Sequence, residues 1–428
     1  MTKKNKEINK IGILVGGGPA PGINSVIHSA TIEAINNHVD VAGIYEGFKY
    51  LMQGEFNSRK LEINDVSRIH LRGGSILYTS RANPTKSDHL LENCVIALKE
   101  AGIDALVAIG GDDTAFSAYR VATYAQKNMN VDLRTVHVPK TIDNDLPLPS
   151  GIKTFGFETA RDLGTQIVRN LSEDALTGQR WFLVVSMGRK AGHLALGIGK
   201  SSGATLTLIP EEWQGRSIRL QEITDILTTT ILKRMALGKP YGLILVAEGL
   251  IEQMAVEDLS QLEDVERDEH GHIALSEINC GEVLKHELVD QLKSLNLKMR
   301  IVSKDIGYEV RCADPIAFDI DYTRSLGEAA IEFLLGGGTN CTITIQDDQV
   351  APIPFDSMMD PTTGRTEVRM VKMDSFTYHS ASKFMIRLTP DDADDTELLE
   401  KMVSLTNLSM ESFMEKYGYL MNIGTRPF

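Results

Sequence analysis

Short apolar runs, each followed at once by a glycine-rich or polar loop, recur along the first 250 residues. Ile11 to Val15 leads into Gly16-Gly17-Gly18-Pro19-Ala20-Pro21-Gly22, and Asp104 to Ile109 into Gly110-Gly111-Asp112-Asp113. Thr135 to Val138 leads into Pro139-Lys140-Thr141-Ile142-Asp143-Asn144-Asp145. Trp181 to Val185 leads into Met187-Gly188-Arg189, and Leu243 to Ala247 into Glu248-Gly249. Helical patterns follow at Asn24 to Asn36 and from near Thr114. Runs this apolar predict strands buried on both faces, hence a parallel sheet covered by helices. In such α/β sheets ligands bind beyond the carboxyl ends of the strands, so all five loops are candidates for a site.

Two stretches break the pattern. Ile251 to Met299 is acidic and helix-prone (Glu252, Glu257, Asp258, Glu263, Asp264, Glu266), which predicts a surface insertion, either a lid or a plain solvated helical excursion. After about Asp347 come Pro352, Pro354 and Pro361 and then a polar helical end, a C-terminal extension to which the sequence gives no role.

With 428 residues the chain is long enough for two or three domains with sizeable cores. Its 36 glycines against 14 prolines suit many tight strand-to-helix turns. The net charge of −14 argues against nucleic-acid binding, which needs a basic footprint, yet leaves room for a local pocket of converging Arg and Lys. Cys94, Cys280, Cys312 and Cys341 are scattered, so neither a disulfide framework nor a zinc site is expected. The basic start is interrupted by glycines soon after its apolar run begins, which predicts no signal peptide, no membrane span and a cytoplasmic protein.

The loops carry the chemistry. Gly16 to Gly22 departs from the dinucleotide fingerprint at Pro21 and from the P-loop at Ile23, where a lysine is required. A glycine loop between strand and helix still aims N–H groups at an anion, although a tight turn without a ligand fits the same residues. Gly199-Lys200-Ser201 is a P-loop decoy, since Leu194 stands where the first glycine belongs. Asp112 beside two glycines at a strand end is a candidate Mg²⁺ ligand, the alternative being an ordinary turn aspartate. Asp143 and Asp145, two apart and close to Lys140 and Thr141, are equipment for activating a hydroxyl, or a polar loop with an Asx turn. Arg189 at a strand end offers a phosphate fork.

Taken together, these runs resemble the phosphofructokinase family. The matching segments are Gly17-Gly18 with Ala20-Pro21-Gly22 and Asn24; Thr79-Ser80-Arg81; Gly110-Gly111-Asp112; Thr141-Ile142-Asp143-Asn144-Asp145; and Gly156-Phe157-Glu158-Thr159-Ala160. Met187-Gly188-Arg189, Glu248-Gly249, and Gly307-Tyr308 with Arg311 complete the set, in the family's order from residue 11 to about 330. The resemblance implies two similar Rossmann-like three-layer α/β/α domains with the site in a cleft between them. Residues 11–150 would bind the donor and Mg²⁺, and 151–310, carrying the insertion near 251–299, would bind the sugar phosphate. A return segment and the C-terminal extension would fill 311–428.

The resemblance also distributes roles. Asp143 corresponds to the general base that takes the proton of the sugar's 1-hydroxyl, and Asp112 to the magnesium carboxylate. Thr141 and Arg189 correspond to contacts with the transferring phosphoryl group. Met187, Glu248, Tyr308 and Arg311 correspond to sugar-phosphate contacts, and Gly17, Gly18, Arg81, Ile142 and Gly188 line the same site. Arg180 resembles an arginine that reaches the 6-phosphate from a neighbouring subunit, which implies a homodimer or homotetramer. ATP-using bacterial members usually carry glycine at the positions of Asp113 and Lys140, whereas pyrophosphate-using members carry Asp and Lys, as here. An Asp adds bulk and like charge where an α-phosphate would lie, and the Lys supplies a point charge for a small donor. The implied reaction is reversible transfer from pyrophosphate to fructose 6-phosphate. The alternatives are an ATP-dependent relative, a member acting on sedoheptulose 7-phosphate, and a non-catalytic regulatory subunit, against which Asp112, Asp143 and Arg189 stand intact. Pro19, where many ATP-using members have Asp, and the long Glu248–Arg311 spacing depart from the short bacterial pattern. The spacing leaves open whether Arg300 or Lys304 adds a phosphate contact.

Overall fold

The computed structural model describes residues 7–213, 216–260, 278–359 and 366–423. They form two compact units, each interrupted in sequence: 1–160 with 308–369, and 161–307 with 370–428. The segment expected to run from 311 to 428 is therefore divided, its first part belonging to the first unit and its last to the second.

In the first unit, strands β1 (Lys10–Val15), β2 (Asp40–Ile44), β4 (Ala105–Gly110) and β5 (Arg134–Pro139) form the middle of a seven-stranded sheet. Cys341–Thr342 extends it in parallel beside β5, while β3 (Ser58–Lys60) and Ile353–Pro354 close the two edges antiparallel. Side chains alternate between two cores, as the two-residue period of a strand requires. Ile11, Ile13 and Val15, with Val107, Ile109, Val136 and Val138, pack under helices Ile23–Asn36 and Ala317–Leu335. Leu14, Leu106 and Ala108 pack on the opposite face under helices Asp88–Glu100 and Asp112–Met129. The spatial order β5-β4-β1-β2 reverses direction between β1 and β4, so the loops after these two strands flank a topological switch point.

The second unit has a four-stranded parallel sheet. Its strands are β6 (Trp181–Ser186), β7 (Leu206–Leu208), β8 (Gly242–Ala247) and β9 (Ile301–Ile306), in the spatial order β7-β8-β6-β9. Helix Cys280–Ser294 places Leu284, Leu288 and Leu292 at four-residue intervals into the core against Trp181, Leu183 and Val185. This corrects the expectation of a surface insertion across 251–299, because the last part of that stretch is a crossover helix covering the sheet. Its acidic centre, with Glu263, Asp264 and Glu266, lies outside the described residues. The C-terminal extension contributes Leu398, Leu399, Met402, Phe413 and Tyr417 to the same core. No helix among the described residues is long and apolar enough to cross a membrane.

Candidate active site

In the first unit the switch point gathers three of the candidate loops. The Gly16 N–H donates to the Ile109 carbonyl of β4, and the Gly17 N–H to Ser80 (2.9 and 2.8 Å). This brings the Thr79-Ser80-Arg81 segment beside the glycine loop, with Arg81 itself exposed. Gly17 has φ +79, a backbone only glycine adopts readily. A Cβ on either Gly16 or Gly110 would lie 2.3 Å from Thr114 Oγ1, so the helix after β4 can start this close to the loop only because both are glycine. That helix begins at Asp112, two residues before the expected Thr114. Asp112 and Asp113 therefore occupy its first turn, where the helix dipole favours negative charge by roughly 0.3–1 kcal/mol each. Asp113 is exposed and Asp112 half-buried.

Two cations converge on the glycine loop. Lys140 is buried, 5% exposed, and its Nζ donates to the Gly18 carbonyl at 2.6 Å. A Cβ built on Gly17 would lie 3.1 Å from that Nζ, and one on Gly18 3.6 Å from the Arg311 guanidinium carbon. Burial pushes the Lys140 ammonium down to about 8, and Arg311 adds to the fall, while Asp143, Asp112 and Asp145 oppose it. Arg311 lies against the ring of Tyr308, 5.1 Å from its centroid, and Tyr308 is itself mostly exposed.

The Thr141–Asp145 run is buried throughout, Ile142 included. The Asp143 N–H donates to Thr141 Oγ1 (3.0 Å), and Thr154 Oγ1 donates to the Thr141 carbonyl (2.7 Å). Asn144 adopts φ +56, and its side-chain oxygen accepts from the Thr154 N–H. The loop after β4 is fixed by a residue that sequence reasoning missed. His137 is fully buried and donates from Nε2 to the Gly110 carbonyl (2.8 Å), while its Nδ1 accepts from Thr342 Oγ1 (3.0 Å). A carbonyl can only accept, which sets this tautomer. Burial lowers the His137 imidazole to about 4, so it is neutral at physiological pH. Gly110 O also accepts the Lys140 N–H (2.8 Å), tying the two loops through one oxygen.

In the second unit, Glu248 gathers the Met187-Gly188-Arg189 turn. Its Oε1 accepts from the N–H groups of Gly188 (3.1 Å) and Arg189 (2.7 Å). Arg189 has φ +51, and the Met187 N–H donates to Ile306 at the end of β9. Arg180 is not part of this group. It precedes β6, at the opposite end of a six-residue strand, and pairs with Asp174 at 3.2 Å. Arg300 shares that end, its carbonyl accepting from Trp181, whereas Lys304 lies within β9 opposite Val184.

Sequence reasoning also missed Arg369, whose guanidinium donates to the carbonyls of Asn144, Leu148 and Ile152. No sequence signal connects an arginine more than 200 positions away to this loop.

A phosphofructokinase family model matches residues 10–334. The pyrophosphate–fructose 6-phosphate 1-phosphotransferase of Thermotoga maritima is 50% identical over 419 residues, covering 96% of this chain and 98% of the relative. A relative of the same name from Naegleria fowleri is 46% identical over 426 residues, covering 97% of each chain. The solved pyrophosphate-dependent phosphofructokinase of Marinobacter aquaeolei superposes with a TM-score of 0.67 at 16% identity, covering 92% of both chains, a likeness of fold. The match across three quarters of the sequence, joined to near-full-length relatives at this identity, makes the chain a member of the phosphofructokinase family.

Proposed function

We propose that the protein transfers a phosphoryl group reversibly from pyrophosphate to the 1-hydroxyl of fructose 6-phosphate, giving fructose 1,6-bisphosphate and phosphate. The observation that carries this reading is the convergence of Lys140 and Arg311 on Gly17 and Gly18 at the switch point of the first unit. Burial lowers the Lys140 ammonium and the nearby Arg311 charge lowers it further, and a compact polyanion at the loop offsets both. The names of the Thermotoga and Naegleria relatives agree with pyrophosphate as that anion.

Asp143, set by Thr141 and Asn144, accepts the hydroxyl proton as the new P–O bond forms. Lys140 holds the charge that develops on the departing phosphate, and Thr141 contacts the transferring group. Arg189 contributes a fork to the same group, its backbone fixed by Glu248. Met187, Gly188, Glu248, Tyr308 and Arg311 contact the sugar phosphate, and Arg180 reaches it from a second copy of the chain in a homodimer or homotetramer. Asp113 stands against a nucleotide's further phosphate.

Among the described residues no cluster of three acidic, His or Cys side chains could hold a metal. Mg²⁺ takes one or two carboxylates, keeps several waters and completes its shell with substrate phosphates, and the half-buried Asp112 in the first turn of its helix offers one such carboxylate. Asp112 would hold it, and the ion would neutralise charge on the donor. The protein works in the cytoplasm.

The test is initial rate with fructose 6-phosphate and Mg²⁺, with pyrophosphate or ATP as sole donor. Turnover with pyrophosphate alone is expected. Turnover with ATP alone would leave the fold and the base standing but remove Asp113 and Lys140 as the donor-selecting pair.

A further inference from the structure

The C-terminal extension passes the catalytic loop at Arg369. The guanidinium of this residue sits in a nest of carbonyls that belong to the loop's exit. Nε and Nη2 donate to the Asn144 carbonyl (3.1 and 2.9 Å), and Nη1 donates to those of Ile152 (2.7 Å) and Leu148 (3.3 Å). Nη2 also donates to the side-chain oxygen of Asn144, and the Arg369 N–H to the Asp145 carbonyl (2.8 Å). One residue thus fastens the backbone of both positions that follow Asp143. It also fastens the side chain of Asn144, whose left-handed φ of +56 turns the chain there. Burial lowers the Arg369 guanidinium from its ordinary value, and Asp145 opposes the fall, so a charge is kept in a half-dry place where a neutral donor would cost less. Planar, five-donor geometry is what three carbonyls in different directions require, and an ammonium cannot reproduce it.

We propose that Arg369 is a positioning residue for phosphoryl transfer: it locks the left-handed turn at Asn144 and so aims the Asp143 carboxylate at the acceptor hydroxyl. The proposal rests on reading Asp143 as the base. Misplacement by an ångström costs a reaction up to about a hundredfold, so an unlocked loop should act on kcat and leave substrate affinity alone. The experiment is a double-mutant cycle with Arg369→Lys and Asp143→Asn in the full-length protein, assayed with pyrophosphate, with kcat normalised to the folded fraction from circular dichroism. Arg369→Lys is expected to lower kcat between roughly tenfold and a hundredfold, with both KM values within about twofold. In the Asp143→Asn background the same change is expected to lower kcat less than about twofold, because there is no longer a base to aim. Arg369→Ala serves as the stronger perturbation, and if it does not fold, the lysine variant decides. Effects that multiply, an unchanged kcat in Arg369→Lys, or a loss carried by KM would overturn the proposal. Wild-type turnover in Asp143→Asn would remove the base itself, and the proposal with it.

Discussion

Replacing Lys140 with methionine exchanges a buried ammonium for a neutral chain of similar length, and its effect on stability can be worked from the surroundings of Lys140. The group titrates at about 8 in the folded protein against an ordinary 10.5. Between these values the unfolded chain binds the proton and the folded chain does not, so this group makes stability rise with pH. At pH 7 holding the charge inside costs roughly 3 kcal/mol relative to the unfolded chain, from about 1.4 kcal/mol for each unit of depression. About 2 kcal/mol of that returns by pH 9.5, where the folded side chain is neutral and the unfolded one still mostly charged. The assay is urea unfolding of wild type and Lys140→Met at several pH values in this range. Taking the difference removes every other titrating group. Wild type is expected to gain about 2 kcal/mol on the variant from pH 7 to about pH 9.5, while turnover with pyrophosphate in the variant falls by roughly 10²–10³. Parallel stability curves would refute the reasoning, since they would mean that Lys140 is solvated as fully in the folded state as in the unfolded one.

Two further outcomes are expected. His137→Gln should flatten the acid side of the stability profile: with a folded value of about 4 against 6.5, wild-type stability falls as pH drops through that window, and unfolding at pH 5 against pH 7 measures it. Arg180→Ala and Asp143→Asn should each lose at least roughly a hundredfold in turnover, and if the proposed dimer shares its sites, mixing the two after brief dissociation should restore activity, because a hybrid rebuilds one intact site. No recovery on mixing, with subunit exchange verified by mass, would place Arg180 outside the partner's site.

The loops were legible because their signal is local. An apolar run ending in Gly-Gly-Asp or Thr-Ile-Asp-Asn-Asp states both the strand and its carboxyl end, and the structure places these loops directly after β4 and β5. The helix start was misjudged by two residues because Asp112 and Asp113 read equally well as turn residues and as a charged first turn. The stretch from 251 to 299 misled through composition: its acidic centre masks the four-residue spacing of Leu284, Leu288 and Leu292. His137 and Arg369 left no trace, since each acts through hydrogen bonds to backbone carbonyls, which every residue has. The sheet told which strands are covered, but not which distant side chain satisfies a given oxygen.

The interrupted units bear on how the chain is made. The helix Ala317–Leu335 covers one face of the first sheet, yet it is translated only after the roughly 150 residues that separate Ala160 from Tyr308. At ribosomal speeds of about 5–20 residues per second, Val136 waits roughly 10–40 s for this helix to be complete, and Val107 and Ile11 wait longer, up to about a minute. During that interval helix Ile23–Asn36 alone covers this face, and the nascent first unit presents the remainder of it to its surroundings. Its yield should therefore depend on chaperone supply and growth temperature more steeply than its final stability suggests, and expressing residues 1–160 alone should give insoluble protein.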